Sequence, residues 1–136
     1  MTETTIRKSI FIAASRDTVW DYLTKAEQLG QWFHPAKSDL AKDQDFTLVS
    51  QKDGERMCWG RVTQMRAPVF MRWDFTVGPM QGAMSVVEWT LDEAPGGTRL
   101  SLDHSGLPSD TDGFGLVLAL DKGWHGFLGK MQSLQM

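Results

Sequence analysis

His104 is the side chain of this sequence whose type and position best suit proton-transfer chemistry. It lies in the stretch LDHSGLP and shares strand parity with Leu100 and Leu102, so we expect it to point inward near the mouth of a pocket. An imidazole with an ordinary pKa of about 6.5 could serve there as a general acid or base. The other explanation is a structural histidine, hydrogen-bonded to nearby backbone at the end of its strand. His104 is therefore a catalytic candidate and not an assigned catalytic residue.

The other two histidines and the single cysteine indicate less chemistry. His34 precedes Pro35, which favours an extended or turn conformation, and a structural or solvated loop histidine is expected there. His125 falls at the edge of the apolar stripe of the last helix. Cys58 has the parity of an inward-facing residue and is expected to act as a small hydrophobic side chain. These residues do not have the spacing of metal ligands, so no metal and no other cofactor is predicted.

Aromatic and methionine side chains form the larger group of candidates. The chain of 136 residues contains six Trp, seven Phe and eight Met. Strand alternation and helical spacing place many of them on inward faces, where they either fill the core or line a pocket for a planar or hydrophobic ligand. The predicted ligand-binding residues are Trp73, Phe75, Trp89, Cys58, His104, Trp124, Phe127, Leu128 and Met131.

The strands that must position these side chains are indicated by alternating apolar residues. Residues 5–14 alternate with the period of a strand, and residues 67–77 contain the clearest strand of the sequence. Residues 45–65 and 85–104 each predict a hairpin, around the turn sequences KDGE and APGG. The pattern predicts a curved antiparallel sheet of about six or seven strands with one apolar face.

Helices are predicted on both sides of this run of strands. Two short helices are expected near 16–25 and 26–32, with Ser15 as the N-cap of the first and Gly30 as the cause of the break. A long helix is expected over about 111–134, with its apolar stripe against the concave face of the sheet. The gap between sheet and helix is a natural place for an internal pocket.

Three glycines interrupt the last helix at every third residue. On a helical wheel Gly126 and Gly129 fall opposite the apolar stripe, and Gly123 falls on its flank. Each glycine costs a helix interior roughly 1 kcal/mol relative to alanine. Three explanations remain open: tolerated residues on a solvated face, a helix weakened so that it can open, or close packing against a second subunit.

Length and composition exclude several classes of protein. A chain of 136 residues, 41% of them hydrophobic, has the size of one domain, so a single domain over residues 1–136 is predicted. The net charge of −3 comes without a basic stripe, so nucleic-acid binding is not expected. No apolar run approaches the ~20 residues of a membrane span, and the early apolar stretch is too short for a signal peptide. The single cysteine excludes an intrachain disulfide and fits a cytoplasmic protein.

Several segments, taken in order and spacing, resemble a known family over about residues 5–134. The segments are FIAASRDTVWDYLT, LGQWF, WGRV, VFMRWDF, SVVEWTL, GGTRLSLDHSGLP and KGWHGFLGKM. Together they look like the activator-of-heat-shock-protein-90-ATPase-like family of the START-like superfamily, also called SRPBCC or birch-pollen-allergen-like. The residues that match those recurring in the family are Val19–Trp20, Trp32–Phe33, Gly97–Thr98, Leu100 and Gly123–Trp124.

This resemblance implies an α+β helix-grip fold, in which the curved sheet wraps the long last helix. It also implies an internal cavity for a hydrophobic or amphipathic small molecule, such as a lipid, a polyketide or a hormone. Non-enzymatic binding of such a molecule is the preferred function, and a cyclase or dehydratase that uses His104 is the alternative. A chaperone-associated module ranks third, because the eukaryotic co-chaperones carry an additional N-terminal domain beside the START-like unit. A homodimer is left open.

Overall fold

The fold is a curved antiparallel sheet that holds a long helix against its inner face. A computed structural model describes residues 4–80, 82–108 and 113–134. The strands are β1 Thr4–Ile12, β2 Asp45–Val49, β3 Arg56–Arg66, β4 Phe70–Val77, β5 Ser85–Ala94 and β6 Gly97–Leu107. The helices are α1 Arg16–Thr24, α2 Ala26–Trp32 and α3 Phe114–Ser133, and a short 3-10 turn spans Gly78–Met80.

The sheet is built from successive hairpins and is completed by the first strand. Over the described residues its strand order is β1-β6-β5-β4-β3-β2, with every neighbouring pair antiparallel. Strands β2 to β5 each pair with the next strand along the chain, and β1 pairs with β6. The predicted helix-grip fold is confirmed, with six strands.

The alternation of the sequence decides which side chains enter the core. In β4 and β5, Trp73 pairs with Val87 and Met71 pairs with Trp89, and all four side chains are buried on the inner face. In β1, Phe11 precedes the buried Ile12 and therefore points to the opposite face of the sheet, where it is 64% exposed. The inner face of β4 and β5 therefore carries large aromatic side chains, among them Trp73 and Trp89.

Helices α1 and α2 lie close to their predicted bounds, and the break between them is at Lys25 and is not caused by Gly30 as the sequence suggests. Lys25 is extended, with φ −81° and ψ 130°, whereas Gly30 lies inside α2. The break is stabilised from a distant residue, because the Asp39 carboxylate accepts a hydrogen bond of 2.8 Å from the backbone N–H of Ala26 in the first turn of α2. Ser15 caps α1 as expected, its Oγ accepting from the backbone N–H of Thr18.

Helix α3 begins at Phe114, within the predicted segment; residues 111 and 112 lie outside the described residues. Its apolar stripe buries Trp124, Leu128 and Met131 against the sheet. A Cβ atom added at Gly126 or Gly129 would meet nothing within 4 Å, so both glycines face solvent as the helical wheel indicates.

Candidate ligand-binding site

An apolar cavity of about 280 Å³ lies between residues 116–127 of α3, the N-terminal end of β3, the C-terminal end of β4 and the segment after α2. We call it the α3 cavity. Its lining consists of Phe33, His34, Met57, Cys58, Phe75, Val77, Pro79, Leu116, Ala119, Leu120, Gly123, Trp124 and Phe127. None of these lining residues is Asp, Glu, Lys or Arg, so the described part of the wall carries no formal charge at neutral pH.

Aromatic rings form one continuous wall of the α3 cavity. The ring of Phe33 lies 5.2 Å from that of Trp124 and 4.8 Å from that of Phe127, measured between centroids. Phe75 on β4 extends the wall, 6.0 Å from Trp124. Rings at these distances attract one another and present flat apolar faces, which suits a planar or aliphatic ligand.

His34 and Cys58 contribute the polar side-chain atoms of this lining. The His34 ring lies between Phe33 and Phe127, at 4.8 and 5.3 Å between centroids, and partial burial lowers its pKa. Among the described residues neither ring nitrogen of His34 has a hydrogen-bond partner. Cys58 is buried, and burial raises the pKa of its thiol, which therefore stays protonated and is a poor nucleophile.

His104 lies in the core behind Trp124 and not at the mouth of the cavity, which corrects the expected position. It is fully buried and is held by side chains from two other elements. Trp124 Nε1–H donates to His104 Nδ1 over 2.9 Å, and His104 Nε2 lies 2.7 Å from Ser85 Oγ. Ser85 Oγ in turn donates to the Phe75 carbonyl oxygen over 2.8 Å.

This chain of contacts fixes the tautomer of His104. An indole N–H can only donate, so Nδ1 is the unprotonated nitrogen and Nε2–H donates to Ser85 Oγ. Desolvation by burial lowers the pKa of His104 to about 4, so the ring is neutral near pH 7. Because both nitrogens are engaged, the ring has no free lone pair with which to take a proton from a substrate. The structural role fits this geometry, through side-chain partners and not through the backbone contact expected from the sequence.

The predicted ligand-binding residues fall into two groups. Cys58, Phe75, Trp124 and Phe127 line the α3 cavity. The others lie in the packed core beside it: Trp73, Trp89, His104, Leu128 and Met131. Strand parity and helical spacing identify inward-facing residues, and they do not say at which level of the sheet the packing leaves a gap.

Sequence reasoning missed the cavity residues that lie outside regular strands or on the flank of α3. Phe33 and His34 follow α2, and Pro79 belongs to the 3-10 turn after β4. Gly123 was placed beside the apolar stripe, and it contributes to the lining. For Phe33 the available signal was its place in the recurring Trp-Phe pair; for His34 no pattern in the sequence indicated burial.

Other depressions of the surface are larger but differ in chemistry. Those of about 440, 690 and 530 Å³ have charged side chains in their walls, including Arg16, Asp121 and Arg99 respectively. Binding sites for small organic molecules are concave and mostly apolar, so the α3 cavity is the better candidate despite its smaller volume.

Two further observations limit the chemistry of the described part of the chain. No helix there is long and apolar enough to cross a membrane. Nor do three or more His, Cys, Asp or Glu side chains come together there as a set that could hold a metal ion.

Comparison with solved structures shows the same fold in several proteins. Protein MLL2253 from Mesorhizobium loti is 22% identical with a TM-score of 0.83, and the alignment covers 96% of each chain. The Aha1 dimer from Colwellia psychrerythraea is 17% identical with a TM-score of 0.80, covering 97% of this chain and 96% of that one. PFC0360w, an HSP90 activator from Plasmodium falciparum, is 18% identical with a TM-score of 0.77, covering 98% and 96%.

A comparison with curated protein sequences found no match. The family model described as "Activator of Hsp90 ATPase homolog 1-like protein" matches residues 13–135, which is most of the chain and includes every residue of the α3 cavity. By this match the chain belongs to the Activator of Hsp90 ATPase homolog 1-like family.

Proposed function

We propose that the protein binds a small, mostly apolar molecule in the α3 cavity. The observation that carries the proposal is the lining, which combines four aromatic rings with aliphatic side chains and includes no charged residue. An apolar cavity of ~150 Å³ accepts benzene. The α3 cavity, at about 280 Å³, therefore suits a molecule roughly twice as large, such as a bicyclic arene or a chain of about ten carbon atoms.

Two glycines on α3 provide a matched test of this site. Gly123 lines the α3 cavity, and Gly126 lies one turn further along on the exposed face. Gly123→Leu fills the cavity with an isobutyl group, whereas Gly126→Leu adds the same group to the same helix in open space. Naphthalene is the probe, and its binding is followed by NMR at the indole N–H of Trp124.

We expect naphthalene to shift the Trp124 indole signal of the wild-type protein and of Gly126→Leu with affinities within about twofold of each other. Gly123→Leu is expected to weaken binding at least tenfold, because the side chain occupies the volume that the probe needs. The proposal fails if naphthalene leaves the cavity resonances of the folded wild-type protein unchanged, or if Gly123→Leu binds as well as Gly126→Leu.

Binding without catalysis is favoured over a cyclase or dehydratase that uses His104, because of where that histidine lies and what it contacts. His104 is neutral, fully hydrogen-bonded and absent from the cavity lining. Cys58 lines the cavity as a protonated thiol. A general acid or base must reach the proton that it moves, and His104 does not reach the cavity, while the Cys58 thiol in its wall stays protonated.

A chaperone-associated role is the second candidate function. It is supported by membership of the family and by the fold shared with the Plasmodium falciparum protein described as an HSP90 activator. If this role does not use the α3 cavity, Gly123→Leu leaves chaperone binding unchanged while it weakens the binding of naphthalene at least tenfold.

We further propose that two copies of the chain associate through the first half of α3. Phe114 and Leu118 lie one turn apart on that helix, and they are 59% and 44% exposed. A dimer is described for the structurally similar Colwellia psychrerythraea protein. We also propose a cytoplasmic location, which the single unpaired cysteine supports.

A further inference from the structure

His34 has the properties of a binding group that lacks its partner. It is half-buried, it lines the α3 cavity, and the rings of Phe33 and Phe127 lie within 5.3 Å of it. Within the described part of the chain, no donor or acceptor reaches either ring nitrogen. A ligand in the cavity can therefore form a hydrogen bond with His34 without displacing a protein partner.

The backbone around His34 is fixed by the edge of the sheet. The backbone N–H of Val49 on β2 donates to the Pro35 carbonyl over 2.9 Å, and the Lys37 N–H donates to the Thr47 carbonyl over 3.2 Å. The segment that follows His34 therefore runs along β2 as an added edge, with Ala36 bridging to Leu48. A side chain held in this way is preorganised, and its interaction with a ligand costs less conformational entropy than that of a free loop residue.

The other polar atoms near the cavity cannot replace His34. The indole N–H of Trp124 is already bonded to His104, and a thiol such as that of Cys58 is a weak donor and a weak acceptor. A neutral imidazole offers one acceptor nitrogen and one N–H donor. These atoms suit a hydroxyl group, which can donate to the first or accept from the second. A carboxylate is disfavoured, because no Lys or Arg belongs to the lining to offset its desolvation.

We propose that His34 is the polar anchor of the α3 cavity and that its ligand class is hydroxyl-bearing hydrophobic molecules, with the hydroxyl group hydrogen-bonded to the imidazole. This inference rests on the proposed function, since it needs the cavity to be a binding site. It adds that the site distinguishes a phenol or an alcohol from the corresponding hydrocarbon.

Four probes separate the inference from the proposal on which it rests. Naphthalene measures apolar binding alone, 1-naphthol and 2-naphthol add a hydroxyl group in two positions, and 1-naphthoate adds an anion. The quantity to compare is the ratio of the naphthalene Kd to the naphthol Kd, for the wild-type protein and for His34→Phe. His125→Phe makes the same substitution at an exposed histidine of α3 and serves as the control.

In the wild-type protein and in His125→Phe, we expect at least one naphthol to bind roughly two- to tenfold more tightly than naphthalene, the range of one net hydrogen bond. In His34→Phe the ratio of the naphthalene Kd to the naphthol Kd should fall to about one, whatever the change in the naphthalene Kd itself. 1-Naphthoate should bind more weakly than either naphthol. The ¹⁵N signal of the acceptor nitrogen of His34 should move on addition of the naphthol and remain unchanged with naphthalene.

Two results would overturn the inference while leaving the proposed function in place. One is that naphthalene binds and neither naphthol is preferred. The other is that the preference persists in His34→Phe. If naphthalene itself does not bind, the proposed function fails first, so the two failures are distinguishable. Tighter binding of 1-naphthoate than of the naphthols would reassign the ligand class to anions.

Discussion

The residues that contact His104 determine the positions of the hydrogen atoms in its hydrogen bonds. Trp124 can only donate and the Phe75 carbonyl can only accept, so each hydrogen between them has one possible position. The resulting chain joins α3 to strands β4, β5 and β6 through side chains. Sequence parity correctly placed His104 on the inner face, but the partners of an inward-facing polar residue come from elements far along the chain and could not be predicted.

This network predicts a pH-dependent contribution to stability. The pKa of His104 is about 4 in the folded protein and about 6.5 when unfolded. As pH falls through this window, the unfolded chain binds a proton that the folded protein does not, so stability decreases. Above about pH 6.5 both states are neutral and the contribution is constant; below about pH 4 both are protonated and the loss is complete.

His104→Gln tests that window. We expect the free-energy advantage of the wild-type protein over this variant to shrink by about 3 kcal/mol between pH 7 and pH 4, since each pKa unit corresponds to ~1.36 kcal/mol. Urea unfolding at several pH values measures it. The control is His125→Gln, whose side chain is exposed. A wild-type advantage that is independent of pH would contradict the assignment.

At the scale of elements, the glycines of α3 lie in different surroundings, and their spacing in the sequence could not fully distinguish those surroundings. The helical wheel correctly placed Gly126 and Gly129 on the solvent face. It put Gly123 on the flank, and the structure shows that this flank borders the α3 cavity. The wheel describes directions around an axis and carries no information on how far away the sheet lies.

The double variant Gly126→Ala/Gly129→Ala is expected to raise the free energy of unfolding by roughly 1–2 kcal/mol. Each added methyl group enters open space, and each substitution removes the entropy cost of a glycine in a helix interior. Chemical denaturation measures the change. Gly60→Ala provides the opposite case, because a Cβ atom at that position would collide with the Asp74 carbonyl oxygen and should destabilise the protein. A loss of stability in the double variant would show that its face is packed against something.

For the whole molecule, the sequence predicted the fold far better than the site. The turns KDGE and APGG and the alternation of residues such as Trp73 and Trp89 were sufficient for the hairpins, and the family resemblance supplied the grip around α3. The cavity could not be found in this way, because Trp73 and Trp89 fill the sheet at one level and smaller residues such as Val77 leave it open at another. A cavity forms where side chains from several elements leave the space between them unfilled, so it cannot be predicted from any single segment.

The proposed self-association also concerns the whole molecule. Phe114→Glu/Leu118→Lys replaces two exposed apolar residues of α3 by opposite charges and leaves the net charge unchanged. We expect sedimentation equilibrium to find a dimer for the wild-type protein at tens of micromolar and a monomer for the variant. A monomeric wild-type protein, or a variant that dimerises as well as the wild type, would exclude this face as the interface.

The pairing of β1 with β6 has a consequence for biosynthesis. Ser9 and Ser101 face each other across this pair, 92 residues apart in the chain, and their hydroxyl groups are joined by a hydrogen bond of 2.9 Å. At a translation rate of ~5–20 residues per second, β1 leaves the ribosome several seconds before its partner exists. During that interval the apolar side chains of Ile6 and Ile12 have no sheet to cover them. Strand β1 of the nascent chain therefore stays unpaired and exposed to aggregation until β6 has emerged.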